Sequence, residues 1–347
     1  MGDEGAKRLG EMLLAGVGLE PLSSVLESLR DIPLGRRKIR DDETVSNDHF
    51  GIPKLSALMP SSSILVLELI SPPLAHHSSG AGKTSLLYLI IAQAILPGSI
   101  FSSIATGGQS AAVILFDPLH HFSVLRLASV ILNLLKSRLS AARVTIDESI
   151  RAELQEVLER SLLHLHIFRP QSWTSLIVTL RSLSKYLFDH SRHESMHRRI
   201  HSIILEDIDA FVGAIRNPPS GSSRGSNPNP LSTASTQLTT QLQRLSILFS
   251  CCTILTSHSV SASVFRPALP ISWPLGTSVT RLALRRLEVI KFAPAISLEE
   301  AEVERQQRWQ VVSKGRFECW KVGARVRGEE GFMFKVGLGV EIEKTES

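Results

Sequence analysis

The chain has 347 residues, 43% hydrophobic and 20% charged, enough to bury a full core in one large domain. Its 38 lysines and arginines against 33 aspartates and glutamates leave a net charge of +5, which permits contact with nucleic acid without establishing it. Three cysteines (Cys251, Cys252, Cys319) exclude a disulfide framework, and 5% aromatic residues argue against a base-stacking platform.

Residues 1–60 read as a leader and linker: a short helix carrying Leu9, Leu13, Leu14 and Val17, then the basic cluster Arg36–Arg40 (RRKIR). The N-terminus lacks the apolar core of a signal peptide. An ordered domain over 61–347 follows. Its first buried strand is 64–69, rich in branched apolar residues. A helix over 83–96 is apolar on nearly every side and belongs in the middle of a fold; this longest apolar run is too short to span a bilayer. A second strand covers 112–116. Val124, Leu127, Ala128, Ile131, Leu134 and Leu135 have helical spacing. A helix over 147–162, a strand over 163–168, a helix marked by Leu176, Leu180, Leu183 and Leu187, and strands over 202–205 and 248–256 complete the alternation. Strands alternating with helices predict an α/β fold with a mostly parallel sheet covered on both faces. Residues 216–236, dominated by Ser, Pro, Asn and Gly, predict a disordered insertion. Beyond 277, segments 279–292, 309–313, 317–322 and 331–342 predict antiparallel strands that extend the core.

The segment Gly80-Ala81-Gly82-Lys83-Thr84-Ser85 carries the most chemistry. Between a buried strand and an apolar helix, these residue types make a phosphate-binding loop. Glycines turn backbone N–H groups toward a phosphate, the helix N-terminus adds favourable partial charge, Lys83 reaches the terminal phosphates and Thr84 offers its hydroxyl to Mg²⁺. ATP and Mg²⁺ are the expected cofactors. The motif departs from G-x-x-x-x-G-K-[ST] at its first glycine, where His77 stands. A carboxylate to close the magnesium site is expected at the end of the 202–205 strand, from Glu206 or Asp207; strand alternation points only one of them inward.

Four segments, GAGKTSLLYLIIAQAILP, VILFDPLHHFSVLRLASVIL, SIILEDIDAF and ILFSCCTILTSHS, occur in the order of a RecA-type core. The chain resembles the RecA-type recombinases, and through LFDPLHHFSVLRL and GEMLLAGVGLEPLSSVLESL their eukaryotic paralogues. The likeness is good over 64–211 and 245–260, moderate over 10–30 and weak beyond 277. It implies a RecA-like P-loop NTPase core, homologous recombination and double-strand break repair, a nuclear location, and assembly with other recombinase paralogues, DNA being met through that complex. The family places a water-polarising acid two positions after Asp117, where this chain has Leu119. The family's Walker B aspartate aligns with Glu206, and its γ-phosphate-sensing strand end with Thr256-Ser257-His258. The resemblance therefore implies ATP binding with at most weak DNA-dependent ATPase activity, with Asp117 and His258 as accessory residues.

Other constellations carry less. His190, His193, His197 and His201 have metal-like spacing, but Arg192, Arg198 and Arg199 are interleaved and oppose a cation. His76-His77 and His120-His121 flank the phosphate mouth. Arg281 and Arg285 share a strand face that is either a DNA-phosphate contact or an ordinary charged face. Two rival readings stand beside the leading one: an active P-loop enzyme (ATPase or small-molecule kinase), and a nucleotide-free scaffold.

Overall fold

The computed structural model describes residues 48–60, 64–73, 81–101, 104–217, 229–261, 265–287, 315–323 and 330–343, with isolated positions between 297 and 305. All lie in the unit formed by residues 47–347. The expected leader helix, the basic cluster, His76-His77, Gly80 and the strand over 309–313 fall outside the described residues.

The chain runs α1 (Pro53–Ser56), β1 (Leu65–Ser71), α2 (Lys83–Ile95), the small hairpin β2 (Ser99–Ile100) and β3 (Ile104–Ala105), then β4 (Ala112–Phe116), α3 (Val124–Ala141) and α4 (Glu148–Leu162). It continues through β5 (Leu165–Phe168), α5 (Trp173–Leu187), β6 (Ile200–Leu205), a 3-10 turn (Ile208–Phe211), α6 (Val212–Arg216) and α7 (Pro230–Phe249). It ends with β7 (Cys252–His258), β8 (Ser278–Arg286), β9 (Arg316–Lys321), β10 (Gly331–Val336) and β11 (Val340–Ile342). Among the described residues, nine strands form one sheet in the order β11-β10-β9-β8-β1-β7-β6-β4-β5. Neighbours from β8 to β5 pair in parallel, and β8 to β11 pair antiparallel. The fold is mixed α/β, with a mostly parallel sheet extended by antiparallel C-terminal strands.

Period-two alternation divides the core into two layers. Leu65, Leu67 and Leu69 of β1, with Val113 and Leu115 of β4, pack beneath α2, α3 and α4. Ala112, Ile114 and Phe116 of β4, with Ile203 and Leu205 of β6, face α5 and α7. Helix α2 is buried from Leu86 to Ile95, as an all-apolar helix must be. Side-chain caps set the starts of the outer helices: Ser123 accepts from the Arg126 N–H, Asp147 from Ile150, and Ser172 from Ser175.

Four boundaries differ from the sequence reading. Phe50, Ile52 and Leu55, placed in the linker, are buried in the main core. Residues 230–236, placed in the disordered insertion, are the first two turns of α7; Asn229 caps them, Pro230 sits in the first turn, and Leu231 and Ala234 are buried. The remainder of that insertion, 218–228, lies outside the described residues. The strand expected from 248 starts at Cys252, because α7 runs through Phe249 and turns at Ser250 in a left-handed conformation. The segment 331–342 is a hairpin rather than one strand.

Three buried histidines make the fold sensitive to acid. The Ser195 hydroxyl lies 2.9 Å from both His164 Nδ1 and His166 Nε2, and His166 Nδ1 lies 2.9 Å from the Tyr186 hydroxyl. His201 reaches the His49 carbonyl from Nε2 and Ser202 from Nδ1. Burial, reinforced by neighbouring cationic groups, lowers each imidazole to about 4. The unfolded chain takes up protons below the ordinary histidine value near 6.5 that the folded chain refuses until about 4. Stability is therefore expected to fall as pH is lowered through that window, by up to about 1.4 kcal/mol per pH unit for each histidine. Thermal melts between pH 7 and pH 4.5 check this; His201→Gln should shallow the slope, and a flat profile in the parent protein would contradict the assignment.

Candidate functional site

The site forms where β1, β4, β6 and β7 all end, at the carboxyl edge of the parallel strands. Strand β1 delivers Ser71, β7 delivers His258, the turn after β6 delivers Glu206, Asp207 and Asp209, and α2 begins there with Lys83 and Thr84. A pocket of about 450 Å³ opens among Ser71, Lys83, Thr84, Leu119, His121, Asp207, Asp209, His258 and Phe317, with Ala81, Gly82 and Ser85 on its rim.

Lys83 is buried, with 7% of its surface exposed. Its ammonium donates to Ser71 Oγ at 2.7 Å and lies 3.1 Å from His258 Nε2. Desolvation lowers its pKa, opposed by the charges of Asp207, Asp209 and Glu206. His258 Nδ1 lies 3.0 Å from Asp209 Oδ2, which also accepts from the His258 backbone N–H at 3.2 Å. An ammonium on Nε2 and a carboxylate on Nδ1 together select the tautomer with its proton on Nδ1.

Both Glu206 and Asp207 reach the site, where alternation had allowed one. The reason is the backbone: Asp207 leaves the strand in a left-handed conformation with φ 47° and caps the 3-10 turn. Its amide is held by Thr256 Oγ1 at 2.8 Å, and its carboxylate meets His121 Nδ1 at 2.8 Å. Glu206 lies beneath, accepting the Thr84 hydroxyl on Oε1. Burial pushes Glu206 up to about 7, and the charges of Asp207 and Asp117 add to that rise.

Asp117 lines no part of the pocket. Its two oxygens accept from the backbone N–H groups of His121 and Phe122, at 2.9 and 3.3 Å, with Arg169 at 3.7 Å. It shapes the loop that carries Leu119 and His121 to the pocket wall. Arg281 is engaged by Glu68, at 2.6–2.8 Å, and Arg285 by Glu318 beneath the Trp320 ring. Both guanidinium groups thus have carboxylate partners within the chain. His193 and His201 belong to separate contacts, to the Tyr186 and His49 carbonyls, and form no metal cluster with one another.

The sequence reading passed over Ser71, Asp209 and Phe317. Asp209 follows Glu206 by three positions, a visible acidic run, but only the 3-10 turn folds it back toward His258. Ser71 carries no signal beyond standing at a strand end.

The donor set suits a hydrated divalent cation near Thr84 and Glu206. Glu206 Oε2 and Asp209 Oδ1 are buried oxygens without a hydrogen-bond partner in the described structure, and magnesium prefers hard oxygen ligands and water. Ligand atoms of Asp207, Asp209 and His258 also lie within 4.8 Å of one another, but the Lys83 ammonium beside His258 opposes a cation there. No protein-family model matches the chain. Among the described residues, no helix is long and apolar enough to cross a membrane.

Glu206 generates a prediction opposite in sign to that of the histidines. Its folded-state pKa is raised, so stability is full below the ordinary value of 4.5 and is lost as pH rises toward 7. Glu206→Gln keeps an acceptor for Thr84 and removes the ionisation. At pH 8 without divalent cations it should gain about 1–3 kcal/mol in stability. Melts of both proteins at pH 5 and pH 8 check this: a gain at pH 8 that is absent at pH 5 is expected, and an equal effect at both would refute it.

Proposed function

We propose that this chain is a RecA-like P-loop protein that binds ATP with Mg²⁺, hydrolyses it slowly if at all, and serves as a recombinase-paralogue subunit. The observation that carries the reading is the convergence of Lys83, Thr84 and Asp207 on one pocket at the carboxyl edge of a parallel sheet, with Glu206 joined to Thr84 beneath it. A helix N-terminus that opens on the pocket, a lysine and a hydroxyl facing carboxylates suit a polyphosphate with its magnesium ion. Lys83 would take the terminal phosphates, and Thr84 with Glu206 or Asp207 the ion and its waters.

The weak hydrolysis follows from Leu119. It stands on the pocket wall as hydrocarbon, 45% exposed, where a carboxylate would be needed to polarise water. The resemblance to X-ray repair cross-complementing protein 2 supplies the biological setting. In that setting the chain works in the nucleus, in homologous recombination and double-strand break repair, as part of a hetero-oligomer of recombinase paralogues that meets DNA as a complex. Arg281 and Arg285 are weak candidates for that DNA contact, since Glu68 and Glu318 already neutralise them. A second reading, the nucleotide-free scaffold, is favoured by one observation: Lys83 already has internal partners in Ser71 and His258.

Titration calorimetry with Mg-ATP and Mg-ADP separates these readings. The parent chain should bind, and Lys83→Ala should weaken binding by about tenfold or more, as loss of a charge-assisted contact does. Equal affinities would refute the phosphate site, and no binding by the parent chain would leave the scaffold reading. Steady-state turnover should stay well below about 1 s⁻¹, the lower end of the ordinary enzyme range. Co-purification with recombinase paralogues tests the assembly.

A further inference from the structure

The C-terminal strands sit directly against Gly82, at the start of α2. Alternation along β9 sends Phe317 and Cys319 into the core, and alternation along β10 sends Phe332 and Phe334 the same way. Phe317 and Phe334 are register partners, with ring centroids 5.3 Å apart and planes 18° from parallel. Phe334 is fully buried, and Phe317 is buried with one side on the pocket.

This aromatic pair occupies the space where Gly82 would carry a side chain. A Cβ built on Gly82 would lie 2.8 Å from Phe317 Cδ1, 3.0 Å from Phe317 Cγ and 3.0 Å from Phe334 Cζ. Phe334 is held by the surrounding core, and Phe317 stacks on it. Gly82 itself adopts φ +86° and forms the N-cap of α2, its carbonyl accepting from the Leu86 N–H at 2.9 Å. The glycine thus answers two demands at once: a left-handed backbone and contact with a flat aromatic surface.

We infer that Phe317 and Phe334 are positioning residues for Gly82 and the first turn of α2, so that the C-terminal strands belong to the nucleotide-binding unit. The inference rests on the proposed nucleotide site. Its physical basis is the placement of the first amides of α2. Those N–H groups have no partner within the helix and are the ones an anion would meet. Their direction is set by where Gly82 rests, and Gly82 rests on the rings. A flexible aliphatic side chain at either position leaves Gly82 free to shift by a fraction of an ångström, enough to weaken a site that needs its donors placed within about 0.5 Å.

The test uses the full chain in two measurements. In Mg-ATP titrations, Phe317→Leu and Phe334→Leu should each weaken binding by about tenfold, while Leu242→Ala, a core substitution on the opposite face of the sheet, should stay within about twofold of the parent. Equal affinities in all four proteins overturn the positioning role while leaving the nucleotide site standing. Absence of binding by the parent chain overturns both. Should the phenylalanine variants fail to fold, hydrogen exchange of the parent chain decides. Adding Mg-ATP should slow exchange in peptides spanning 316–319 and 332–335 together with those of 82–90. Protection confined to 82–90 and the turn at 206–211 would overturn the inference.

Discussion

An ammonium group buried at the edge of a sheet is expensive to keep, and the carboxyl edge of this fold is arranged around keeping one. Removing Lys83 from water favours its neutral form, so each neighbouring group that supports its charge matters. Ser71 and His258 touch it; Asp209 orients His258; Asp207 and Glu206 add negative charge nearby. These groups come from β1, β7 and the turn after β6, so the charge cannot be satisfied until three strand ends have met. The sheet order places β1 beside β7 and β7 beside β6, which brings those ends together. The same arrangement concentrates carboxylates around one cation, with two buried oxygens left unpartnered.

Much of this layout was legible in the residues. Lys83 to Leu96 is apolar on nearly every side, and such a helix has to be central; it is. The runs at 112–116 and 202–205 mark buried strands by branched side chains, and both lie inside the parallel sheet. What stayed hidden depended on backbone turns. Alternation allowed one of Glu206 and Asp207 to face the site, because strand geometry was assumed to continue. The left-handed Asp207 breaks that geometry, brings both carboxylates in and returns Asp209 toward His258. The serine- and proline-rich composition of 216–236 concealed a helix start, since Leu231, Ala234 and Leu238 are spaced to pack but sit among small polar residues. Arg281 and Arg285 looked available for phosphate because their carboxylate partners, Glu68 and Glu318, are 213 and 33 residues away in sequence.

The C-terminal strands change how the pocket is understood. As sequence, they are a run of short alternating segments with no motif. As structure, β9 and β10 continue the sheet from β8 and carry the aromatic pair beneath Gly82. On the opposite face, Glu68 of the central strand holds Trp273 Nε1 at 3.0 Å and Arg281 of β8, tying the connection after β7 to the sheet. Gly82 and the start of α2 are therefore supported on one side by β9 and β10, while β1 is fastened on the other by an ion pair.

The strand order also has a consequence for the nascent chain. Strand β1 is made first among the sheet strands, yet its two neighbours are β7 and β8. At translation speeds of about 5–20 residues per second, β1 waits roughly 10–40 s before its second partner has been synthesised. Until β7 is made, a strand of six apolar or small residues and one buried glutamate has neither edge paired. The Lys54 ammonium closes on the Glu343 carbonyl, at 2.5 Å, only when the last strand is in place. Residues near the beginning and the end of the unit thus fold against each other, and a chain released early presents an unpaired central strand to the quality-control machinery of the cell.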